Sequence, residues 1–168
     1  MPAELDEKAV ASPNLNQRAL SIAIAKAVTV SNSSLVLTQY PQTKIIAADT
    51  FVVLANKILE KPRSLTEARE MLRLQSGNII NVHTGLCCLN LATGQTLKTT
   101  VKVEAEFRQL SDNEIDQYVI NQPVLTWSAA FSPAYDSGMA LIAWVSGSLT
   151  SFTHGLPIEL VLKFLATS

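Results

Sequence analysis

Residues 44–53, KIIAADTFVV, decide the fold: they form an apolar run with one carboxylate in its middle. Such a run indicates a buried strand. An ionised Asp49 within it is costly unless a metal ion or a cationic side chain pairs with it. Lys61 follows soon after a second short apolar piece, Ile58-Leu59. A strand carboxylate and a nearby lysine predict a site for Mg²⁺ and phosphate. The simpler alternative is that Asp49 caps a turn at the end of a strand.

The composition indicates an ordinary folded protein. The chain has 168 residues, is 48% hydrophobic and 16% charged, and carries a net charge of −1. We expect one domain over residues 1–168. The near-neutral charge argues against nucleic-acid binding, which needs a basic surface, but permits a local basic pocket for one polyphosphate. The acidic start lacks a signal peptide, and no apolar stretch reaches the length of a membrane span. We therefore expect a cytoplasmic protein without a membrane partner.

Helical and strand patterns alternate along the chain. The predicted helices begin at Ser12-Pro13, at the capping boxes Ser64–Glu67 and Ser111–Glu114, and at Leu156-Pro157. The predicted strands cover residues 44–54, 58–59, 78–91, 100–108 and 139–145. The polar segments 31–42 and 147–155 are predicted to be connections. Adjacent Cys87 and Cys88 point to opposite faces of a strand, so we expect two core thiols without a disulfide.

A series of short motifs then occurs in a fixed order. They are Ala48-Asp49-Thr50, Glu60-Lys61-Pro62, Glu67–Leu72 with Ser76-Gly77, His83-Thr84-Gly85-Leu86, Phe107-Arg108, Leu110-Ser111, Glu114-Ile115, and Gly155-Leu156-Pro157. In this order and spacing they resemble the Maf family of nucleotide pyrophosphatases, over nearly all of residues 4–166. The resemblance implies a Maf/ITPase-like α/β fold, in which helices flank a central mixed sheet and two lobes surround a cleft.

The resemblance also implies an activity. It implies Mg²⁺-dependent hydrolysis, with Mn²⁺ as an alternative metal, of a nucleoside triphosphate to the monophosphate and pyrophosphate, in a homodimer. One branch of the family acts on dTTP and UTP, and another on 7-methyl-GTP. Thr50 favours the first branch, whereas Ser76-Gly77-Asn78 and residues 107–118 look more like the second. We lean to pyrimidine nucleotides.

The resemblance assigns roles residue by residue. Asp49 matches the catalytic acid and would bind the metal together with Glu7, because Mg²⁺ prefers carboxylate oxygens. Lys26 and Lys61 match lysines that neutralise the polyphosphate. Thr50 matches a specificity position that binds the substrate. Taken alone, Lys26 near a helix end is equally a favourable partner of the helix dipole, and Glu7 is more simply a solvated residue.

The chain departs from the family pattern in two places. It begins after the point where the family has an apolar strand and a Ser-x-Ser-x-Arg-Arg loop, and it contains no Arg-Arg pair. We expect that strand and phosphate loop to be missing, because the sequence is truncated or because the protein has lost them. In residues 128–138, Ala129 stands where the family has Gly, and Asp136 is the one acidic residue. The alternative function is therefore a degenerate Maf-like protein that binds a nucleotide or a partner without turnover.

Overall fold

A computed structural model describes residues 14–167 of the chain. The helices are α1 Leu15–Ser31, α2 Ser34–Gln39, α3 Leu65–Gln75, α4 Asp112–Asn121, α5 Asp136–Met139, α6 Leu149–His154 and α7 Ile158–Thr167. The strands are β1 Lys44–Leu54, β2 Lys57–Leu59, β3 Ile79–Asn90, β4 Thr96–Phe107 and β5 Ile142–Ser146. None of the helices within this range is long and apolar enough to cross a membrane.

The five strands form one sheet in the order β2-β1-β3-β4-β5, with helices flanking it. The α/β class is therefore confirmed. We expected a mixed sheet, and the sheet of the described residues is antiparallel. The β1–β2 hairpin turns at Ala55-Asn56, whose φ angles of 47° and 65° are left-handed, as a two-residue hairpin turn requires.

The chain divides into two compact units, and the boundaries between them fall within β1, β3 and β4. The first unit contains the described residues up to Thr50, His83–Val101 and the residues from Gly155 onward, and the second contains Phe51–Val82 and Lys102–His154. The single domain and the cleft that we expected both stay predictions.

In the first unit, helices cover both faces of the strands. Ile45 and Cys87 pack with Ala23 and Ala27 of α1 on one face. Leu86 and Cys88 pack with Val161 and Phe164 of α7 on the other face. Both cysteines are free and buried, as expected, and burial raises the pKa of the Cys88 thiol to about 11.

In the second unit, α3 and α4 begin at serine caps. Ser111 and Glu114 form the predicted capping box, with each side chain accepting from the other residue's backbone N–H. Ser64 likewise accepts from the N–H of Glu67, but the Glu67 carboxylate accepts from the N–H of Arg63, so this predicted box is incomplete.

Two predicted connections contain short helices. Segment 31–42 includes α2, which Ser33 caps by accepting from the Val36 N–H. Segment 147–155 includes α6, at whose start the Ser148 hydroxyl accepts from the Ser151 N–H. Serine is as common at helix caps as in loops, so composition alone favoured the wrong structure here.

Candidate active site

An ion pair joins Asp49 of β1 to Lys26 of α1. Lys26 Nζ lies 2.8 Å from Asp49 Oδ1, and the side chains are 23% and 12% exposed, respectively. The cation that the sequence demands for this carboxylate is thus supplied by a residue from the preceding helix. A mostly buried pair holds its geometry better than a surface pair, because water screens it less. The alternative that Asp49 only caps a turn is wrong, since Asp49 lies within β1.

Small residues on α1 bring Lys26 to this position. Ala19, Ala23 and Ala27 are fully buried and follow one another at one-turn spacing along α1. Opposite them, a Cβ on Gly85 of β3 would lie only 2.3 Å from the Ala19 carbonyl carbon and oxygen. Gly85 therefore permits the helix backbone to rest directly on the strand. This close approach places Lys26, about two turns beyond Ala19, beside β1.

Thr50 points to the other face of the sheet. Side chains alternate along a strand, so Ala47 and Asp49 face α1, whereas Ala48 and Thr50 face the cluster packed on α7. Two sequence neighbours that we assigned to one ligand thus lie on opposite faces of β1. Direct contact of Thr50 with the substrate stays a prediction, and its observed contacts point to a different role.

The Thr50 hydroxyl sits between two partners. Its Oγ1 lies 2.8 Å from Thr84 Oγ1 on β3 and donates to the carbonyl oxygen of Gly155 at 3.2 Å. Because a carbonyl oxygen only accepts, the single Thr50 proton is directed to Gly155, and Thr84 then donates to Thr50. Gly155 has a φ of +64°, and a Cβ there would lie 3.0 Å from Thr50 Oγ1. These three residues anchor β1 on the side opposite Asp49.

Two other residues were predicted to belong to this site. Lys61 follows β2 in the second unit and is exposed. Its part in binding the same ligand as Asp49 stays a prediction. Glu7, the second predicted metal ligand, lies outside the described residues.

One aromatic side chain of the altered segment 128–138 stacks on the tryptophan that precedes the segment. The rings of Trp127 and Tyr135 lie 5.4 Å apart at an angle of 29°. Asp136, the one acidic residue of the segment, begins α5 and is exposed.

Asp49 offers donor chemistry that fits Mg²⁺. Within residues 14–167 no cluster of three or more His, Cys, Asp or Glu side chains could hold a metal. Mg²⁺ is commonly bound by one or two carboxylates together with substrate phosphates and water, so it does not need such a cluster. The Asp49 carboxylate already accepts a cation in the form of the Lys26 ammonium. Its oxygens are the hard ligands that this ion prefers.

Three residues whose contacts the structure shows, Thr84, Gly155 and Gln75, had no role predicted from the sequence. Thr84 and Gly155 lie within motifs quoted above, but their contact with Thr50 joins positions far apart in sequence. Gln75 is fully buried in the core of the second unit. Its signal was its position on the same face of α3 as Ala68 and Leu72, where an apolar residue is expected.

Comparison with known proteins connects the chain to one family. The sequence model of the Maf-like protein family matches residues 1–168. The chain is 31% identical over 163 residues to a dTTP/UTP pyrophosphatase of Pyrococcus horikoshii, covering 96% of this chain and 81% of the relative. It is 35% identical over 159 residues to a dTTP/UTP pyrophosphatase of Anaeromyxobacter dehalogenans, with coverage of 94% and 76%. It is 30% identical over 164 residues to a 7-methyl-GTP pyrophosphatase of Cupriavidus pinatubonensis, with coverage of 95% and 81%.

Proposed function

The chain belongs to the Maf-like protein family, and we propose that it is a Mg²⁺-dependent pyrophosphatase that hydrolyses nucleoside triphosphates to the monophosphate and pyrophosphate. The observation that carries this proposal is the mostly buried carboxylate of Asp49 on β1, which is held by Lys26. A buried ion pair adds little to stability compared with apolar packing, so its presence favours a chemical role.

The proposed reaction is attack of water on the α-phosphorus. A bond forms between the water oxygen and this phosphorus, and the bond from phosphorus to the bridging oxygen breaks. Pyrophosphate leaves with the electron pair of that bond, and the proton of the water passes to the Asp49 carboxylate, which positions the water. Lys26 and Lys61 bind the phosphate oxygens and offset the charge that develops on the leaving group. Asp49 and Glu7 would hold Mg²⁺, which when bound would supply further charge neutralisation.

For the substrate we propose pyrimidine nucleotides of the dTTP and UTP type, with 7-methyl-GTP as the alternative. Relatives carry both names, and the sequence features that separate the two branches disagree in this chain. A homodimer and a cytoplasmic location also stay predictions.

The test is release of pyrophosphate from dTTP, UTP and 7-methyl-GTP in the presence of Mg²⁺, with Mn²⁺ as a second metal. We expect turnover of at least one nucleotide and its loss in Asp49→Asn. The matched control is Asp112→Asn, because Asp112 is 76% exposed and its carboxylate pairs with the half-exposed Arg73. Turnover that survives Asp49→Asn would exclude the mechanism.

A degenerate protein that binds a nucleotide without turnover is the second candidate. It is favoured by residues 128–138, where Ala129 stands in place of the Gly that the family resemblance implies and Asp136 is the one acidic residue, since one lost substrate contact can reduce the rate by about 10²–10³-fold. Calorimetry of the same nucleotides separates the two proposals. Binding without pyrophosphate release favours the degenerate protein, and release of pyrophosphate excludes it.

A further inference from the structure

Two buried alanines in the second unit adopt a backbone conformation that disfavours them. Ala129 and Ala130 have φ angles of 59° and 60°, and both are fully buried. Left-handed φ is rare for residues that carry a Cβ, and it persists only where the surroundings hold it. Glycine adopts such a backbone without strain, but this chain has alanine at both positions. The surrounding contacts must therefore supply the constraint.

Gln75, the last residue of α3, supplies one constraint. Its side chain is fully buried, and its Nε2 donates to the carbonyl oxygens of Ala129 at 2.8 Å and Met71 at 3.0 Å. Two carbonyl acceptors fix the orientation of the amide, because a flipped amide would bring oxygen against oxygen. Its Oε1 finds no hydrogen-bond donor among residues 14–167. The Gln75 amide thus binds the Ala129 carbonyl through Nε2, while its buried Oε1 stays unsatisfied among the described residues.

The other backbone group of Ala129, its N–H, contacts the residue before the predicted phosphate lysine. The Ala129 N–H donates to the carbonyl oxygen of Glu60 at 3.1 Å, and Glu60 immediately precedes Lys61. Just after the two alanines, the Phe131 ring packs edge-on against Phe107 with centroids 4.9 Å apart. The loop is therefore held on both sides, and one of its backbone bonds ends next to Lys61.

We propose that Gln75 is a positioning residue for Lys61. By binding the Ala129 carbonyl it keeps the Ala129 N–H directed at Glu60, and this bond fixes the backbone from which the Lys61 side chain extends. The ligand class is a polyphosphate chain, and this assignment of Lys61 rests on the proposed function.

A purely structural role explains these residues less well. An apolar side chain of similar length at position 75 would fill the core without a poorly satisfied oxygen. Glycine at position 129 would adopt the observed φ without strain. Gln75 has a poorly satisfied buried amide, and Ala129 has an unfavourable backbone conformation. Such unfavourable features are expected at functional positions, and here both belong to contacts that end beside Lys61.

The test is Gln75→Met, combined with Lys61→Ala in a double-mutant cycle. We expect Gln75→Met to raise KM for UTP, and Kd for tripolyphosphate measured by calorimetry, by about tenfold, as loss of one hydrogen bond predicts. In the Lys61→Ala background, Gln75→Met should have no further effect on either constant. The matched control is Gln39→Met on the exposed surface of α2, which should leave both unchanged. Additive effects, or unchanged KM and Kd in Gln75→Met, would overturn the proposal.

Ala129→Gly provides a variant that is expected to fold. With glycine at position 129 the left-handed backbone is unstrained, so the loop keeps its conformation without the hydrogen bond from Gln75. We therefore expect Gln75→Met in this background to change KM and Kd less than threefold. An undiminished tenfold effect in that background would show that Gln75 does not act through Ala129, and the proposal would be overturned.

The tripolyphosphate measurement separates this proposal from the proposed function. If the wild-type protein hydrolyses no nucleotide but binds tripolyphosphate through Lys61, the pyrophosphatase assignment fails and the cycle still decides the role of Gln75. If the wild-type protein binds no tripolyphosphate, Lys61 does not bind a polyphosphate chain, and the inference that Gln75 positions Lys61 for one is wrong.

Discussion

Lys26 Nζ and Asp49 Oδ1 lie 2.8 Å apart, with both side chains less than one quarter exposed. The pair joins the first long helix, α1, to β1 within the first unit. Removing one member of such a pair leaves a charge in a poorly hydrated place, whereas removing both leaves none.

Lys26→Met should therefore lower the free energy of unfolding by about 1–2 kcal/mol, because it leaves the Asp49 carboxylate without this cation. Urea denaturation at neutral pH measures the change. Lys102→Met is the matched control: it breaks a pair with Glu104 whose side chains are 48% and 45% exposed, so we expect a change of less than about 0.5 kcal/mol. The double variant Lys26→Met/Asp49→Asn should regain part of the loss. Equal effects of the two lysine substitutions would contradict this prediction.

Thr84→Val should lower kcat for the proposed hydrolysis by about 3–10-fold with little change in KM, because it removes the hydroxyl that anchors Thr50 behind Asp49. Thr84→Ser keeps that hydroxyl and should restore most of the rate. Thr100→Val, at an exposed position of β4, is the control for the loss of a hydroxyl from a strand. Steady-state kinetics at several UTP concentrations separate kcat from KM. A serine variant as slow as the valine variant would argue against the hydroxyl contact.

Ala129→Gly should increase the free energy of unfolding by about 0.5–1 kcal/mol, because glycine adopts the left-handed φ of +59° without a Cβ clash. The greater freedom of glycine in the unfolded chain offsets part of the gain. Ala166→Gly, in the regular helix α7, is the control of opposite sign and should be mildly destabilising. Denaturant titration measures both, and destabilisation by Ala129→Gly would show that the alanine methyl packs favourably there.

Glu114→Gln should lower Tm by a few degrees at pH 7. It should also remove part of the decrease in Tm that acid pH causes in the wild-type protein. Hydrogen bonds from the Ser111 backbone and hydroxyl, then from Arg108, lower the pKa of the Glu114 carboxyl from 4.5 to about 2. A lowered folded-state pKa means that the stabilisation is present above about pH 4.5 and is lost as the pH falls towards 2. Tm values measured from pH 7 to pH 2 should converge for the two proteins at the acid end. A constant difference across this range would exclude the carboxylate as its source.

The sequence by itself determined the local features of this protein. Periodicity and caps predicted the strand around Asp49 and the helices that follow Ser64 and Ser111, because these signals depend on residues a few positions apart. The ordered motifs identified the family, and the cost of an ionised Asp49 in an apolar strand predicted a cationic partner.

Only the tertiary structure decided which groups meet. Lys26 pairs with Asp49 because Gly85 admits the backbone of α1, and the pleat of β1 turns Thr50 towards Thr84 on the opposite face. Gln75 occupies an apolar position on α3 because the carbonyl of Ala129, distant in sequence, requires its amide. Contacts between such distant positions depend on packing and on the direction of each side chain, and neither is contained in local sequence patterns.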